Sequence, residues 1–465
     1  MNDVVLINSP AGDIAEKHYA RPAYPRLALA YLAGYLRGKG ISCRVIDAKF
    51  GRQDVDAVIR ILSEVKPAVA GFTAMTPEII DTAKAAATIK NAFPGIRLVI
   101  GGPHATALPE ETLNEFRVFD SVVVGEGEAT LKELVDTVSS KDFGAGVKGV
   151  VFRKENMVRR NPARDFLTDL DQIPFPAWDL LPASRIYPII ASRGCPFNCN
   201  FCLRVNGNKV RRHSPARIVA EIEKLIVDFK ARKIVFHDET FGLNKEWAHG
   251  VLDLMIGKKF GKKIEWEATT RVDIADYEIY RKMKTAGCSW VAFGIESGNP
   301  EILKQTGKGI TLEQAENAVR MAKKAGLTVG TLFIIGHPDE TRATIQDTID
   351  FACRLPADTV SCGLMVPYPG TAVAEIVKSG KGNYRVISSD WNDYNKQIGN
   401  VLEMKDVSRK ELENYQFKLY MHFYLLNFRV IRIIKLAGVI GWRGILTGAI
   451  LLVRKIFSKI KPQEG

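Results

Sequence analysis

"YPIIASRGCPFNCNFCLR" (residues 187–204) joins an apolar run ending in small residues to a loop that holds Cys195, Cys199 and Cys202. "YPIIAS" (187–192) is the first of six similar runs, the others being "KIVFHD" (233–238), "IEWEATT" (264–270), "WVAFGIE" (290–296), "TVGTLFIIG" (328–336) and "TVSCGLMV" (359–366). Helical stretches at 215–230, 245–256, 275–286, 311–325 and 341–354 separate them. Apolar strands alternating with amphipathic helices build βαβ units, and six units predict a partial (β/α)6 TIM-type barrel with its ligand site at the C-terminal strand ends. The cysteine loop follows the first strand and so falls at that end.

The same alternation occupies the first 140 residues, with "VVLIN" (4–8), "CRVID" (43–47), "AVAGFT" (68–73), "RLVIGG" (97–102) and "SVVVGEG" (121–127) between helical stretches at 26–39, 53–65 and 78–92. This predicts a Rossmann-like parallel-sheet domain over 1–140 that binds ligands at its strand ends. "GVVFRKENMVRR" (149–160) reads as a hairpin and the proline-punctuated "DQIPFPAWDLLP" (171–182) as a linker, together 141–186. The barrel then spans 187–375, and a helical, basic C-terminal region 376–465. The fold class is α/β.

A chain of 465 residues with 46% hydrophobic content can bury more than one core. The N-terminus has no basic stretch ahead of an apolar one, which predicts a cytoplasmic protein. Seven cysteines, three of them clustered, fit reduced thiolates better than a disulfide framework. The net charge of +13 is concentrated late: from Lys418 to Lys461 there are nine Lys/Arg and no acid. The uncharged run "GILTGAILLV" (444–453) is too short to span a bilayer. Residues 417–461 therefore read either as a basic amphipathic segment on an anionic membrane, placing the protein on the inner face of the cell membrane, or as a helical cap over the barrel. No RNA-binding motif is present, and no nucleic-acid partner is expected.

Three soft thiolates spaced Cys-x3-Cys-x2-Cys suit zinc or an iron–sulfur cluster. A structural zinc needs a fourth ligand, for which His213 is the nearest candidate, while Cys288, Cys353 and Cys362 lie in or beside other elements. On a [4Fe–4S] cube, three cysteines leave one iron open. With Phe201 before the last cysteine, the loop resembles the signature of the radical S-adenosylmethionine enzymes. The resemblance implies that the open iron chelates S-adenosylmethionine, and that one electron, from a donor such as flavodoxin or ferredoxin, cleaves it to a 5′-deoxyadenosyl radical. It further implies cofactor contacts for Phe201, for Asp238 and Glu239 in "HDETF" (237–241) toward the amino group, for Arg271 in "TTRVD" (269–273) toward the carboxylate, and for Glu296 in "FGIESG" (293–298) toward a ribose hydroxyl. "FIIGHPDET" (333–341) resembles the adenine-side segment. Taken singly, each charged residue also reads as an ordinary strand-end cap.

"GFTAMTPEI" (71–79), "GGPHATALPEE" (101–111) and "VVVGEGEATLKEL" (123–135) resemble the cobalamin-binding domain that precedes the barrel in one large subfamily of these enzymes. The resemblance implies that Thr73, Thr76, Gly101, Gly102 and Gly125 let the corrin and its nucleotide tail approach the backbone. The Asp-x-His-x-x-Gly motif of many cobalamin proteins is replaced by "DAKFG" (47–51), with Lys49 at the histidine position, which implies either cobalamin without histidine ligation, the reading favoured here, or a domain that has lost the cofactor and serves as a scaffold. His104, in another loop, reads as a packing residue. The implied activity is methylation of an unactivated carbon of a hydrophobic small molecule, whether a lipid, an isoprenoid or a tetrapyrrole. The alternatives are oxidative cyclisation or C–C bond formation with the same cofactors, as in the anaerobic Mg-protoporphyrin ester cyclase-like members, and, in another class, a non-catalytic zinc- or cluster-stabilised binding protein. No catalytic side chain is assigned.

Overall fold

The computed structural model describes residues 4–11 and 22–426. Its first sheet contains β1 (Val4–Asn8), β2 (Cys43–Asp47), β3 (Val69–Thr73), β4 (Arg97–Gly101) and β5 (Ser121–Val123), all parallel, in the order β2-β1-β3-β4-β5. The hairpin β6 (Val150–Lys154) and β7 (Met157–Arg160) adds two antiparallel strands beside β5, so it extends this sheet. The strand order reverses between β1 and β3, and at such a point the neighbouring loops part to leave a crevice.

Helices Val55–Val65 and Ile79–Ala92 close one face of the sheet through Val58, Leu62, Ile79, Ala86 and Ile89. The other face packs on helix Leu27–Gly38 through Leu29, Ala33 and Leu36, and this cluster runs without a break into the barrel core. The expected linker is the wedge at that junction. Its prolines join two short turns, Leu170–Gln172 and Trp178–Leu180, and the segment buries Leu170, Ile173, Ala177 and Trp178, with the Trp178 ring edge-on to Tyr187 at 5.2 Å. Gly34 is required opposite, because a Cβ there would strike the Phe175 carbonyl.

The second sheet begins with β8 (Ile186–Ile189). A short pair, β9 (Ser192–Arg193) with β10 (Arg211–Arg212), brackets the cysteine loop. β11 (Lys233–Phe236), β12 (Glu265–Thr270), β13 (Cys288–Glu296), β14 (Thr328–Ile335) and β15 (Thr359–Leu364) then follow β8 in sequence order, all parallel. β8 and β15 do not pair, leaving the barrel open. Trp266 and Phe293 lie fully buried in its core. The helices outside it start at side-chain caps, such as Thr311 with Gln314 and Ser214 on the Arg217 N–H, which satisfy first-turn donors.

The region expected to be helical after residue 376 also contains an antiparallel ribbon, β16 (Tyr384–Val386) with β17 (Leu402–Met404). Between these strands Trp391 reaches back to the first domain, stacking edge-on against His104 at 5.0 Å and donating to Glu115 at 2.9 Å. His104 is buried in this contact. Helix Arg409–Met421 and the turn His422–Leu426 then cover the free edge of β15. The Tyr420 hydroxyl accepts the Cys362 N–H (3.0 Å), that of Tyr424 accepts the Val360 N–H (3.2 Å), and Gln416 donates to the Cys362 carbonyl (2.8 Å). Side chains thus do the work of a seventh strand. Tyr420→Phe should cost about 1–3 kcal/mol, because it leaves a buried N–H without an acceptor, and a urea titration reads that loss directly.

Among the described residues no helix is long and apolar enough to cross a membrane. Most of the basic segment 417–461, including Arg429, Arg432, Lys435, Arg443, Arg454, Lys455 and Lys459, lies outside the described residues.

Candidate functional site

β9 runs straight into the cysteine loop through Gly194, whose φ of +93° and closeness to the Lys209 carbonyl exclude a side chain. The loop closes on itself through Cys195 N–H to Gly207 O (3.1 Å) and Cys202 N–H to Cys199 O (3.2 Å), and it leans on the barrel through Asn200 N–H to Thr306 O (2.9 Å). Cys195 and Cys199 are half-buried and Cys202 is exposed. Although Cys202 keeps an open side, the protein packed around its sulfur removes enough water to push the thiol up to about 11, with the Cys199 and Cys195 thiols adding to the rise. Cys199 is raised by burial and drawn back by Lys308 and Arg271. The three sulfurs therefore lie within electrostatic reach of one another.

This donor set fits a cluster better than a single ion. Among the described residues no three of His, Cys, Asp and Glu converge closely enough to hold one metal ion, whereas a cube spreads three cysteines over three irons. His213, the candidate fourth zinc ligand, is buried with Nδ1 on Asp171 at 3.0 Å. Cys288 and Cys362 are buried in β13 and β15.

The other candidates surround the loop in different ways. Arg271 is buried, forks onto Asp273 (2.9 Å twice), donates to the Lys308 carbonyl (2.6 Å) and stacks on Phe197 of the loop at 3.4 Å. Glu296 sits where the β13–β14 register shifts, at a φ of +76° that few non-glycine residues adopt. The bulge leaves its carboxylate 2.5 Å from the Lys308 ammonium, both groups buried. Phe201 meets His337 edge-on at 5.9 Å. Asp238 serves the loop's approach: its oxygens accept the Ala191 N–H (3.0 Å) and the Ser192 hydroxyl (2.5 Å), and burial pushes its carboxyl up to about 7. Glu239 is exposed and accepts from Asn206 at 2.7 Å.

Lys308 escaped the sequence reading, and Glu340 entered it only within "FIIGHPDET", with no role of its own. Lys308 stands between two glycines in "TGKGIT", where periodicity is silent, and only the fold reveals it as the partner of Glu296. Glu340 accepts the N–H groups of Gly336 (2.5 Å) and His337 (2.9 Å) through one oxygen, while the other has no partner among the described residues. Burial pushes this carboxyl up to about 8. The unfolded chain, with an ordinary glutamate, releases the proton first as pH rises, so stability falls between the ordinary carboxyl range and about pH 8. Glu340→Gln removes this dependence. Its thermal stability relative to the unmodified chain should rise from about pH 5 to about pH 8.5, by on the order of 2–4 kcal/mol.

A cavity of about 620 Å³ opens at the β1/β3 crevice. Thr73, Gly101, Gly102 and Gly125 line it from the first sheet, and Ile190, Arg193, Asn206 and His237 from the barrel. Gly102 (φ +95°) and Gly125 (φ +75°) keep the strand-end backbone bare, a cradle that side chains would fill. Thr76 is buried in the turn Thr76–Glu78 and is not among the lining residues. Nor is Lys49, which pairs with Glu78 at 2.7 Å; burial would raise Glu78, but Arg26 and Lys49 hold it down at about 2. His237, the residue after β11, lines the cavity with its Nε2 2.8 Å from the Tyr24 hydroxyl.

A parallel-sheet domain with a glycine-edged cavity and a partial barrel carrying three cysteines after its first strand form an enzyme of the radical S-adenosylmethionine class with a second, cobalamin-binding domain, as the family matches show. Residues 189–352 match the Radical SAM superfamily and residues 19–135 the B12 binding domain. An uncharacterized methyltransferase of Pyrococcus horikoshii is 36% identical over 431 residues, covering 90% of this chain and 92% of that protein. The anaerobic magnesium-protoporphyrin IX monomethyl ester cyclase of Cereibacter sphaeroides is 26% identical over 419 residues, 87% of this chain and 67% of the relative. In fold, the chain resembles the radical S-adenosylmethionine methyltransferase TsrM from Kitasatospora setae with cobalamin and a [4Fe–4S] cluster bound, with a TM-score of 0.71, 19% identity and coverage of 92% and 89% of the two chains. The protein belongs to the cobalamin-dependent radical S-adenosylmethionine methyltransferase family, and its cofactors are a [4Fe–4S] cluster, S-adenosylmethionine and cobalamin. The non-catalytic zinc-binding alternative is set aside.

Proposed function

We propose that the chain methylates an unactivated carbon of a hydrophobic substrate: a lipid, an isoprenoid or a tetrapyrrole. The observation that carries this reading is the shared wall of the two sites. Arg193 lines the cavity and stands two residues before Cys195, so a carbon radical made at the barrel end would form close to the corrin. Together the cofactors supply hydrogen abstraction and methyl delivery, which an ordinary nucleophilic transfer to such a carbon does not offer. For this chain's residues the reading assigns Cys195, Cys199 and Cys202 to the cluster. Phe201, Asp238, Glu239, Arg271 and Glu296 are assigned to the S-adenosylmethionine side, and Thr73, Gly101, Gly102 and Gly125 to the cobalamin side. Asp238 and Glu239 would act largely by holding the loop, given their present partners. The cobalt would carry no histidine from the loop after β2.

The experiment supplies methyl-labelled S-adenosylmethionine, reductant and candidate lipids or tetrapyrroles to anaerobically prepared protein. Label in the product is the expected result. Formation of 5′-deoxyadenosine with an unlabelled, newly cyclised or coupled product would favour the second reading, oxidative cyclisation or C–C bond formation, which the similarity to the protoporphyrin ester cyclase supports. The electron would come from a flavodoxin or ferredoxin. Attachment to an anionic membrane through residues 417–461 rests on their charge alone, and vesicle binding that does not weaken as salt is raised would count against it.

A further inference from the structure

β9 and β10 form the stem of the cysteine loop, and their register sets Arg193 directly opposite Arg211. Like charges facing each other across an antiparallel pair are destabilising, the more so when buried. Among the described residues, the carboxylates that pair with them come from the first domain. Glu126, one residue beyond Gly125, places Oε1 3.0 Å from Arg193 and 2.7 Å from Arg211, and Glu128 takes the other Arg193 nitrogen at 2.6 Å. The four side chains are only 5–9% exposed. Burial alone would raise Glu128, but Arg193 holds it below the ordinary range. Arg211 also donates to the Asn206 carbonyl inside the loop (2.7 Å) and to the Leu167 carbonyl (2.9 Å), while the second Glu126 oxygen accepts the Leu167 N–H (3.0 Å). Glu126, Glu128 and Arg193 all line the 620 Å³ cavity, so its occupant bears on the clamp.

We propose that Glu126 is a positioning residue for the cysteine loop: a carboxylate from the N-terminal sheet neutralises two arginines that the barrel sets face to face, so that filling the cavity steadies the cluster. The two cofactor sites are then coupled through one side chain. This rests on the cluster reading of the loop, which the iron content of the unmodified chain tests separately.

The test follows iron loss to a ferrous chelator from full-length, anaerobically reconstituted protein, with and without hydroxocobalamin. Glu126→Gln keeps the shape but removes the charge, and iron should leave about tenfold faster, because two buried cations then share one carboxylate. Glu126→Gln combined with Arg211→Gln removes the opposed charge too and should return the rate to within about twofold of the unmodified chain, a rescue that general loss of packing would not produce. Hydroxocobalamin should slow iron loss from the unmodified protein and do so less in Glu126→Gln. A single variant that holds iron normally, a double variant as leaky as the single one, or equal protection by hydroxocobalamin in both proteins would overturn the proposal. Should the single variant not fold, the double variant decides: one that folds and holds iron supports the clamp, and one that does not overturns it. An unmodified chain that takes up no iron overturns the cluster reading and the clamp together.

Discussion

Cys195→Ala, Cys199→Ala and Cys202→Ala should each yield a protein that is colourless after anaerobic reconstitution and forms no 5′-deoxyadenosine from S-adenosylmethionine. On the assignment proposed above, each thiolate is one of three protein ligands for which the loop has no spare, since Cys288 and Cys362 are buried in strands and His213 has its Nδ1 on Asp171. Loss of one ligand leaves two irons without protein, and the expected fall in bound iron is more than about tenfold. Cys288→Ala and Cys362→Ala supply the contrast. Both thiols are pushed far up by burial and serve as small apolar groups, so these variants should keep iron and lose about 1–3 kcal/mol of stability from packing. Iron analysis and product chromatography on the five proteins decide the matter. Full iron in any of the first three, or none in Cys288→Ala, would reassign the cluster ligands.

Gly101→Leu should abolish copurification of cobalamin while leaving iron content unchanged. Gly101 ends β4 on the cavity wall, has no positive φ, and a Cβ built on it would lie 3.5 Å from the Val123 carbonyl, an ordinary contact. The backbone can thus accept the substitution. Gly102 could not, for there a Cβ would lie 2.8 Å from both the Ala74 carbonyl and the Thr73 hydroxyl. A leucine side chain at Gly101 would fill space that the bare backbone leaves for the corrin, and a steric block of this kind weakens binding by more than about tenfold. The visible spectrum gives cobalamin and a colorimetric assay gives iron. Normal cobalamin in Gly101→Leu would mean that the cavity is not its site.

The strand runs and the cysteine spacing were readable in the sequence because each depends on neighbours along the chain. A continuous apolar run between amphipathic helices or a three-thiol loop is local information. The two-sheet architecture follows from it, as do the loop's place at a strand end and the packing role of His104. What the sequence hid depends on the third dimension. Lys308 acquires meaning only when β13 bulges and turns Glu296 toward it. The edge position of β2, which carries Lys49 away from the cavity wall, could not be inferred without the strand order, and Thr76 is turned inward by the short turn Thr76–Glu78 that follows β3. "DQIPFPAWDLLP" read as a linker because proline is a turn signal, yet the same residues bury Trp178, since proline forbids helix without forbidding burial. The ribbon after residue 376 was missed because strands of three residues are too short to show a period.

The tyrosine cap on β15 bears on the order in which the chain is made. Tyr424 lies 64 residues after Val360, the group it caps. Synthesis at roughly 5–20 residues per second would leave the last barrel strand with an open hydrogen-bonding edge for roughly 3–13 s before its cover leaves the ribosome. Through that interval the nascent barrel would present an unpaired parallel strand to any neighbour, so a polysome crowded with copies of this chain is where its aggregation would begin.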